Sequence, residues 1–340
     1  MDFTLTDEQQ MLADTAHDLL AKECPPSLVR DHIDDIATAD PLWLHLKDWV
    51  VLGDGAATDF ALFLQACGEV LAPGPFLPTA ALLTPLLALG GSPRLESATA
   101  GELRGTVALA GPSGHWTPTD DPAKTFVLEA DRVDVVAVVN RRAEGGLDVL
   151  LVDRPRDLPA TLVQGLDTTR RAFDVDTTAA ADLAVERFSL DAEAMTRWYR
   201  RATVSAAADL LGTARRILDL SVAYAKERVQ FDVPIGSFQA IQHKLADMSL
   251  DVVRAEGAVA FAAMCIEADH PDQVRAVHVA KSAAGTAAMH TAKGGIQTHG
   301  GIGYTWEHDL HLYIRRTMFG EAFLGSRTWH QDRIADLLLA

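Results

Sequence analysis

The sequence predicts a mainly α-helical protein with a small β domain in its middle, and three stretches of different texture carry this prediction. Residues 1–104 show apolar residues at helical spacing, residues 105–190 show short apolar runs between Gly, Pro and Asp clusters, and residues 191–340 show long amphipathic patterns with few prolines. We therefore expect three domains with these boundaries: an N-terminal helical domain, a middle β domain and a C-terminal antiparallel helical bundle.

The N-terminal stretch opens with a helix start. The residues Thr6-Asp7-Glu8-Gln9 have the composition of a helix cap, and apolar residues follow at helical spacing as far as Leu20. Residues 60–71 and 79–89 show further helical patterns, and Pro73-Gly74-Pro75 predicts the turn between them.

The middle stretch is typical of short strands. We expect strands at 106–110, 133–139 and 148–152, with two more around Leu162 and over 172–175. Gly, Pro and Asp clusters separate these runs and predict the turns of a small sheet domain.

The last stretch contains three long apolar patterns, which begin at Val204, Ile241 and Val274 and repeat every three or four residues. Each pattern predicts a helix with one apolar face. Alanine is frequent on these faces, which permits close contact between helices. A shorter pair of helices at the C-terminus should complete the bundle.

Composition limits the classes of function. A chain of 340 residues with 48% hydrophobic and 23% charged residues is a soluble globular protein, and a net charge of -17 argues against a nucleic-acid surface, which needs clustered Lys and Arg. The first residues do not resemble a signal peptide and no apolar run could span a membrane, so we expect a cytoplasmic protein. Cys24, Cys67 and Cys265 lack CxxC spacing and indicate neither a disulfide framework nor a zinc site.

A turn between the first two bundle helices, with Pro234 and Gly236, carries residues suited to a nucleotide ligand. From residue type alone, Arg228 could bind a phosphate, Phe231 could pack on a base and Gln239 could hydrogen-bond a sugar. The alternative, which composition alone favours, is a helical hairpin with a solvated arginine.

The order of residues in this turn resembles the C-terminal signature of the acyl-CoA dehydrogenases, Arg-x-x-Phe-x-x-x-[Ile/Leu]-x-x-[Phe/His]-Gln. A second segment, Gly295-Ile296-Gln297-Thr298-His299-Gly300-Gly301-Ile302-Gly303-Tyr304, resembles the glycine-rich element of the same family. Two shorter segments, Asp2-Phe3-Thr4-Leu5-Thr6-Asp7-Glu8-Gln9 and Asp167-Thr168-Thr169-Arg170-Arg171, extend the resemblance over most of the chain. It implies an α-β-α architecture, oligomerisation through the C-terminal bundles and FAD lying across a subunit interface.

The resemblance also implies a set of cofactor-binding residues at the adenosine and pyrophosphate end of the FAD, whose flavin ring would lie in the neighbouring subunit. These residues are Arg228, Gln230, Phe231, Phe238, Gln239, Gln297 and Gly301. At Gly301 a glycine would let the backbone approach the ligand, and the pair Gly300-Gly301 would equally suit a helix C-terminal cap.

The catalytic half of the family site is not recognisable. The family uses a glutamate as base, and its two known positions correspond here to Leu324 and Ala202, neither of which can accept a proton. Glu321, one helical turn before Leu324, is an alternative base, although a solvated or ion-paired glutamate is the commoner reading. The segment 108–115 lacks the polar flavin-ring anchors of the family and the β domain looks shortened, so we expect no catalytic residue.

Two further clusters have weaker functional interpretations. His308 and His311 have a spacing that zinc sites use, but no third ligand completes a set, so surface histidines are favoured. The cluster of Arg197, Arg200 and Arg201 with Trp198 and Tyr199 suits a CoA phosphate, a solvated helix face or an oligomer contact.

Three functional hypotheses follow from the resemblance. The leading one is the small, non-catalytic subunit of a heteromeric acyl-CoA dehydrogenase, an oxidoreductase in which a larger homologue supplies the base and shares the FAD. A heterotetramer acting on a steroid side-chain CoA thioester is expected from resemblance to short actinobacterial subunits. The second is a self-sufficient dehydrogenase with Glu321 or another carboxylate as base. The third is a non-enzymatic oligomeric scaffold of the same fold.

Overall fold

The N-terminal helix begins at the predicted cap. The computed structural model describes residues 4–153 and 155–339, so Asp2 and Phe3 of the N-terminal resemblance lie outside the described residues. The hydroxyl of Thr6 accepts from the backbone N–H of Gln9, and the Gln9 amide oxygen accepts from the N–H of Thr6. This reciprocal capping box satisfies two N–H groups that the helix end would otherwise leave unpaired.

Within residues 4–104 the α-helices are α1 (Asp7–Glu23), α2 (Pro26–Asp34), α3 (Asp40–Leu46), α4 (Ala57–Glu69), α5 (Thr84–Gly90) and α6 (Leu95–Thr99). The helix predicted at 60–71 is α4. The helix predicted at 79–89 consists of a π-helical turn, Pro78–Leu83, followed by α5. The wider turn forms because the N–H and Oγ1 of Thr84 both donate to Thr79 O, and the next residue, Pro85, has no N–H to offer.

Among residues 105–153 and 155–190, seven strands form two sheets. They are β1 (Gly105–Ala108), β2 (Ala123–Leu128), β3 (Val135–Arg141), β4 (Leu147–Asp153), β5 (Ala160–Leu162), β6 (Ala172–Asp176) and β7 (Glu186–Leu190), with a short helix α7 (Ala180–Leu183) before the last. The larger sheet has the order β1-β3-β4-β7, in which only the β1 and β3 pair is parallel; the smaller is antiparallel with the order β2-β6-β5. The five predicted strands are confirmed, and β2 and β7 were not predicted.

The two missed strands give weak apolar signals in the sequence, for different reasons. In β2 the register shifts between Lys124 and Val127, and Phe126 has a positive φ of 54°. Such a bulge breaks the period of two. In β7 the exposed side chains alternate around Phe188, so the apolar signal is sparse. The core of the β region contains residues of both sheets, including Val127, Val138 and Phe173.

The C-terminal part contains the three long helices and the shorter pair that the sequence predicts. They are α8 (Ala192–Glu227), α9 (Gln239–Glu267), α10 (Gln273–His299), α11 (Leu310–Ala322) and α12 (Arg327–Leu339). A small hairpin, β8 (Val229–Gln230) and β9 (Val233–Pro234), lies between α8 and α9 and was not predicted. Helix α10 packs along α9, α11 and α12, with buried alanines at the contacts.

The chain divides into two compact units. One comprises the chain up to Ser27, the segment Ala61–Ala72 and the chain from Thr203 onwards; the other comprises Leu28–Phe60 and Pro73–Ala202. The three-domain division at residues 104 and 190 stays a prediction. No helix within 4–153 and 155–339 is long and apolar enough to cross a membrane.

In the unit that holds the C-terminal helices, α4 and α8 approach each other through a pair of glycines. A Cβ at Gly68 would lie 1.9 Å from Asp209 O, and a Cβ at Gly212 would lie 1.9 Å from Gln65 O. Since both contacts are with backbone atoms, the two helices can be this close only where neither carries a side chain.

Candidate functional site

The segment that resembles the family signature forms a strained hairpin. Val229 pairs with Pro234 and Gln230 with Val233, which leaves Phe231 and Asp232 as a two-residue tip with φ of 53° and 62°. Turns of this kind favour Asn-Gly because both residues need a left-handed backbone. The Phe231 side chain is 87% exposed. The positive φ of this exposed aromatic residue makes Phe231 a candidate binding residue.

The other signature residues lie on the same exposed stretch. Arg228 follows α8, and among the described residues its guanidinium has no hydrogen-bond or ion-pair partner. The rings of Phe231 and Phe238 meet edge to face at 6.2 Å between centroids. Gln239 is the exposed first residue of α9, whereas the Gln230 amide donates to the carbonyl of the preceding residue.

The turn after the hairpin packs against the end of α8. A Cβ at Gly236 would lie 2.9 Å from Ala225 O, and the Gln242 amide donates to Gly236 O at 2.9 Å. A glycine is therefore required here for close approach rather than for ligand binding. These contacts fix the direction in which the hairpin leaves the bundle.

The glycine-rich segment divides into packing and exposed positions. Gly294 and Gly295 are buried in α10, where an added Cβ would meet the side chains of Met248 and Ile217. Gly300 has φ 65° and its N–H donates to Ile296 O, so it ends α10 as the capping alternative requires. Gly301 is exposed, and no atom of the described chain lies within 4 Å of a Cβ added there. Gln297 is also exposed.

An aromatic cluster joins the two segments, and sequence reasoning missed it. The ring of His299, at the end of α10, stacks on Tyr224 at 4.4 Å with an interplanar angle of 24°. The His308 ring meets His299 edge to face at 4.6 Å. Because the N–H of Arg228 donates to Tyr224 O, the stacked tyrosine lies one turn before the signature arginine. The ends of α8 and α10 are thus held together.

Neither family base position carries a carboxylate. Leu324, between α11 and α12, has a left-handed φ of 57° and is 1% exposed, and Ala202 is also buried. The Leu324 carbonyl lies 3.1 Å from His330 Nε2. The position predicted for the base at Leu324 is therefore occupied by a buried apolar side chain.

The buried Lys281 stabilises the turn between α11 and α12 by hydrogen bonds. Lys281 Nζ donates to the carbonyls of Gly320, Glu321 and Gly325 at 3.1, 2.9 and 2.9 Å. Burial lowers the pKa of Lys281 to about 7, and the nearby carboxylate of Glu321 opposes that shift. Three acceptors match the three donors of an ammonium, whereas a neutral amine offers only two.

Glu321, the alternative base, has a structural partner. Its Oε1 accepts from the N–H of Arg327 at 2.9 Å, at the first residue of α12. A carboxylate at this place stabilises the helix start through the unpaired N–H groups and the helix dipole.

Glu129 is a second titratable carboxyl that the sequence did not single out. It is fully buried after β2, burial raises its pKa to about 7, and its Oε1 accepts from the N–H of Arg171. This hydrogen bond joins the loop before β3 to the Asp167–Arg171 segment, and the Glu129 backbone has a positive φ of 53°.

The two weaker clusters have structural roles. The guanidinium of Arg201 donates to the carbonyls of Leu52, Gly53 and Gly55, and the Trp198 indole donates to Leu82 O. His311 is not a surface histidine: it is buried against Trp306, with ring centroids 4.6 Å apart. Within the described parts of the chain, no group of three or more His, Cys, Asp or Glu side chains could hold a metal ion.

The fold and the two segments define the class of protein. The family model for the acyl-CoA dehydrogenase C-terminal domain matches residues 192–339. The chain is 33% identical over 325 residues to acyl-CoA dehydrogenase IpdE2 of Mycobacterium tuberculosis, covering 92% of each chain. It therefore belongs to the acyl-CoA dehydrogenase family, whose members are oxidoreductases acting on acyl-CoA, and the family implies FAD as cofactor.

Solved structures agree with this family. The chain superposes on one chain of the ChsE4-ChsE5 complex from Mycobacterium tuberculosis with a TM-score of 0.86 and 26% identity, covering 100% of this chain and 99% of that one. The Tcur3481-Tcur3483 steroid ACAD gives a TM-score of 0.85 with 24% identity and 99% coverage of both chains, which shows the same fold. The predicted fold class, mainly α with a small β domain, is confirmed.

Proposed function

We propose that this chain is a small, non-catalytic subunit of a heteromeric acyl-CoA dehydrogenase. It would supply the adenosine and pyrophosphate side of a shared FAD site, and a larger homologue would supply the base. One contrast supports the proposal. The signature residues are exposed and available at the hairpin and the end of α10, whereas both base positions hold buried apolar residues.

The exposed residues suit this end of FAD. Arg228 offers a guanidinium for a phosphate oxygen, Phe231 and Phe238 offer aromatic faces or edges for the adenine, and Gly301 leaves space for a close backbone approach. Gln230, Gln239 and Gln297 complete the predicted binding set. FAD, when bound, would accept the hydride removed from the acyl chain.

The proposed partner is a larger acyl-CoA dehydrogenase homologue in a heterotetramer, with the acyl-CoA bound at the partner's site. The similarity to one chain of a ChsE4-ChsE5 complex supports a heteromer. A steroid side-chain CoA as substrate class follows from the sequence resemblance to short actinobacterial subunits. We place the protein in the cytoplasm, as the sequence predicts.

The Arg228→Ala variant tests the shared site. In a complex co-expressed with a larger homologue encoded nearby, we expect its FAD affinity to fall about tenfold or more, because a charged hydrogen bond to phosphate contributes about 1.5–3 kcal/mol. Flavin per complex, measured by absorbance after gel filtration, reports the loss. Arg275→Ala, at the other end of α10, is the control and should retain flavin.

Other outcomes of that measurement favour the rival functions. A complex that assembles without flavin would indicate the oligomeric scaffold. Turnover with stoichiometric FAD by the purified chain alone would contradict a non-catalytic subunit. The Glu321→Gln variant would then test the alternative base, since it should abolish turnover in a self-sufficient enzyme and change little in a non-catalytic subunit.

The Gly301→Leu variant separates ligand contact from folding. Because no described atom lies within 4 Å of an added Cβ, we expect the melting temperature of the chain to change little. The leucine side chain would occupy the space in which the backbone of Gly301 is proposed to contact the FAD. The flavin content per complex should therefore fall severalfold. Unchanged flavin content would remove Gly301 from the binding set.

A further inference from the structure

His299 is the buried member of the cluster that joins α8 to α10. It is 4% exposed, and its Nδ1 lies 2.8 Å from Gly295 O, one turn back in its own helix. A carbonyl can only accept, so Nδ1 carries the proton and Nε2 carries the lone pair. Nε2 is buried and has no hydrogen-bond partner within residues 4–153 and 155–339. This environment accommodates the neutral ring.

The groups that face His299 are Tyr224 from α8, His308 from the loop after α10, and the Gly295 carbonyl. The hydrogen bond to the Gly295 carbonyl favours the charged ring, but burial and the neighbouring His308 disfavour it. His308 Nδ1 accepts from the N–H of Leu310 at 3.1 Å, so this ring too is held with a lone pair at Nδ1. A proton added at His299 Nε2 would find no acceptor, and the charged ring would lie beside a second histidine.

We propose, on the basis of the shared FAD site proposed above, that His299 is a positioning residue whose neutral ring fixes the ends of α8 and α10 relative to each other. Tyr224 precedes Arg228 by one turn, and His299 lies between Gln297 and Gly301. The stack therefore sets the spacing of the two cofactor segments. Protonation of His299 breaks the stack and releases the FAD.

The direction of the pH dependence follows from the burial of the ring. Desolvation lowers the pKa of His299 below its ordinary 6.5, the hydrogen bond to Gly295 opposes this, and His308 adds to it. At pH values between the pKa of His299 in the folded chain and its ordinary value of 6.5, the unfolded chain therefore binds more protons than the folded chain. Stability is fully present above pH 6.5 and is lost as the pH falls towards the folded pKa.

The experiment compares FAD affinity of the co-expressed complex at about pH 7.5 and about pH 5. We expect the wild type to lose about tenfold or more, and His299→Phe, which keeps an aromatic ring but cannot be protonated, to lose less than about twofold. His115→Phe removes an exposed histidine from the other unit and should behave like the wild type. Equal pH dependence in wild type and His299→Phe would overturn the proposal.

The His308→Asn variant provides a test that does not depend on His299→Phe, and the melting temperature provides a readout that does not depend on flavin. His308→Asn retains an acceptor for Leu310 N–H but removes a group that lowers the His299 pKa, so flavin loss should begin at a higher pH. In the chain alone, the melting temperature should fall below pH 6.5 in the wild type and less so in His299→Phe. If the complex lacks FAD but the wild type and His299→Phe still differ in melting, the proposed function is contradicted and the contact between α8 and α10 through His299 is supported. If the wild type and His299→Phe have the same melting profile at each pH, the role of His299 is overturned.

Discussion

Replacing Lys281 with methionine should destabilise the chain by about 3 kcal/mol, at the upper end of the range for leaving a buried polar group without its partner. Methionine has a similar length and would fill the space. It would leave the carbonyls of Gly320, Glu321 and Gly325 without their shared donor, at the turn that joins α11 to α12. Each acceptor left unpaired in a buried place costs free energy that water cannot restore.

Urea unfolding of the isolated chain measures this effect. Lys293→Met is the matched control, since Lys293 lies on the same helix but is exposed, and its free energy of unfolding should change by less than about 0.5 kcal/mol. Equal unfolding midpoints for Lys281→Met and the wild type would show that the three hydrogen bonds do not stabilise the turn.

The Gly212→Ala substitution should cost about 3 kcal/mol, at the upper end of the usual range for overpacking a core. The added methyl group would lie 1.9 Å from Gln65 O and 3.0 Å from Glu69 N, both backbone atoms of α4. Neither atom can move without moving its helix. We therefore expect α4 and α8 to separate, which also opens the contact at Gly68.

Gly257→Ala provides the control for this prediction. Gly257 lies within α9, and no described atom is within 4 Å of an added Cβ. Alanine should there raise the free energy of unfolding by about 0.5–1 kcal/mol, because it is the better helix former. A Gly212→Ala chain with a melting temperature at or above that of the wild type would contradict the close approach of the helices.

The elements that sequence predicted well are those with long or strict periodicity. The long bundle helices beginning with α8 repeat their apolar residues over many turns, so packing and propensity agree. The hairpin at Phe231 was missed because its turn uses a phenylalanine and an aspartate where such turns favour Asn-Gly. The bulge in β2 at Phe126 hid a strand for a similar reason, since one residue out of register reverses the pattern.

Only those candidate-site residues that belong to recognisable sequence motifs could be predicted. Arg228 and Gly301 were identified from motifs, but nothing local indicates that Tyr224 stacks on His299, because their contact depends on how α8 and α10 pack. The role of Lys281 was equally invisible, since a lysine on an alanine-rich face gives no sign that three carbonyls will surround it.

The rigid tip of the hairpin has a consequence for association kinetics. Phe231 is held by two ladder pairs and by the ring of Phe238, so its backbone is already ordered before any surface meets it. Little conformational entropy remains to be lost on contact, which strengthens binding without new interactions. The encounter rate of two surfaces depends mainly on diffusion and charge, so such an anchor should act by lengthening the lifetime of the complex.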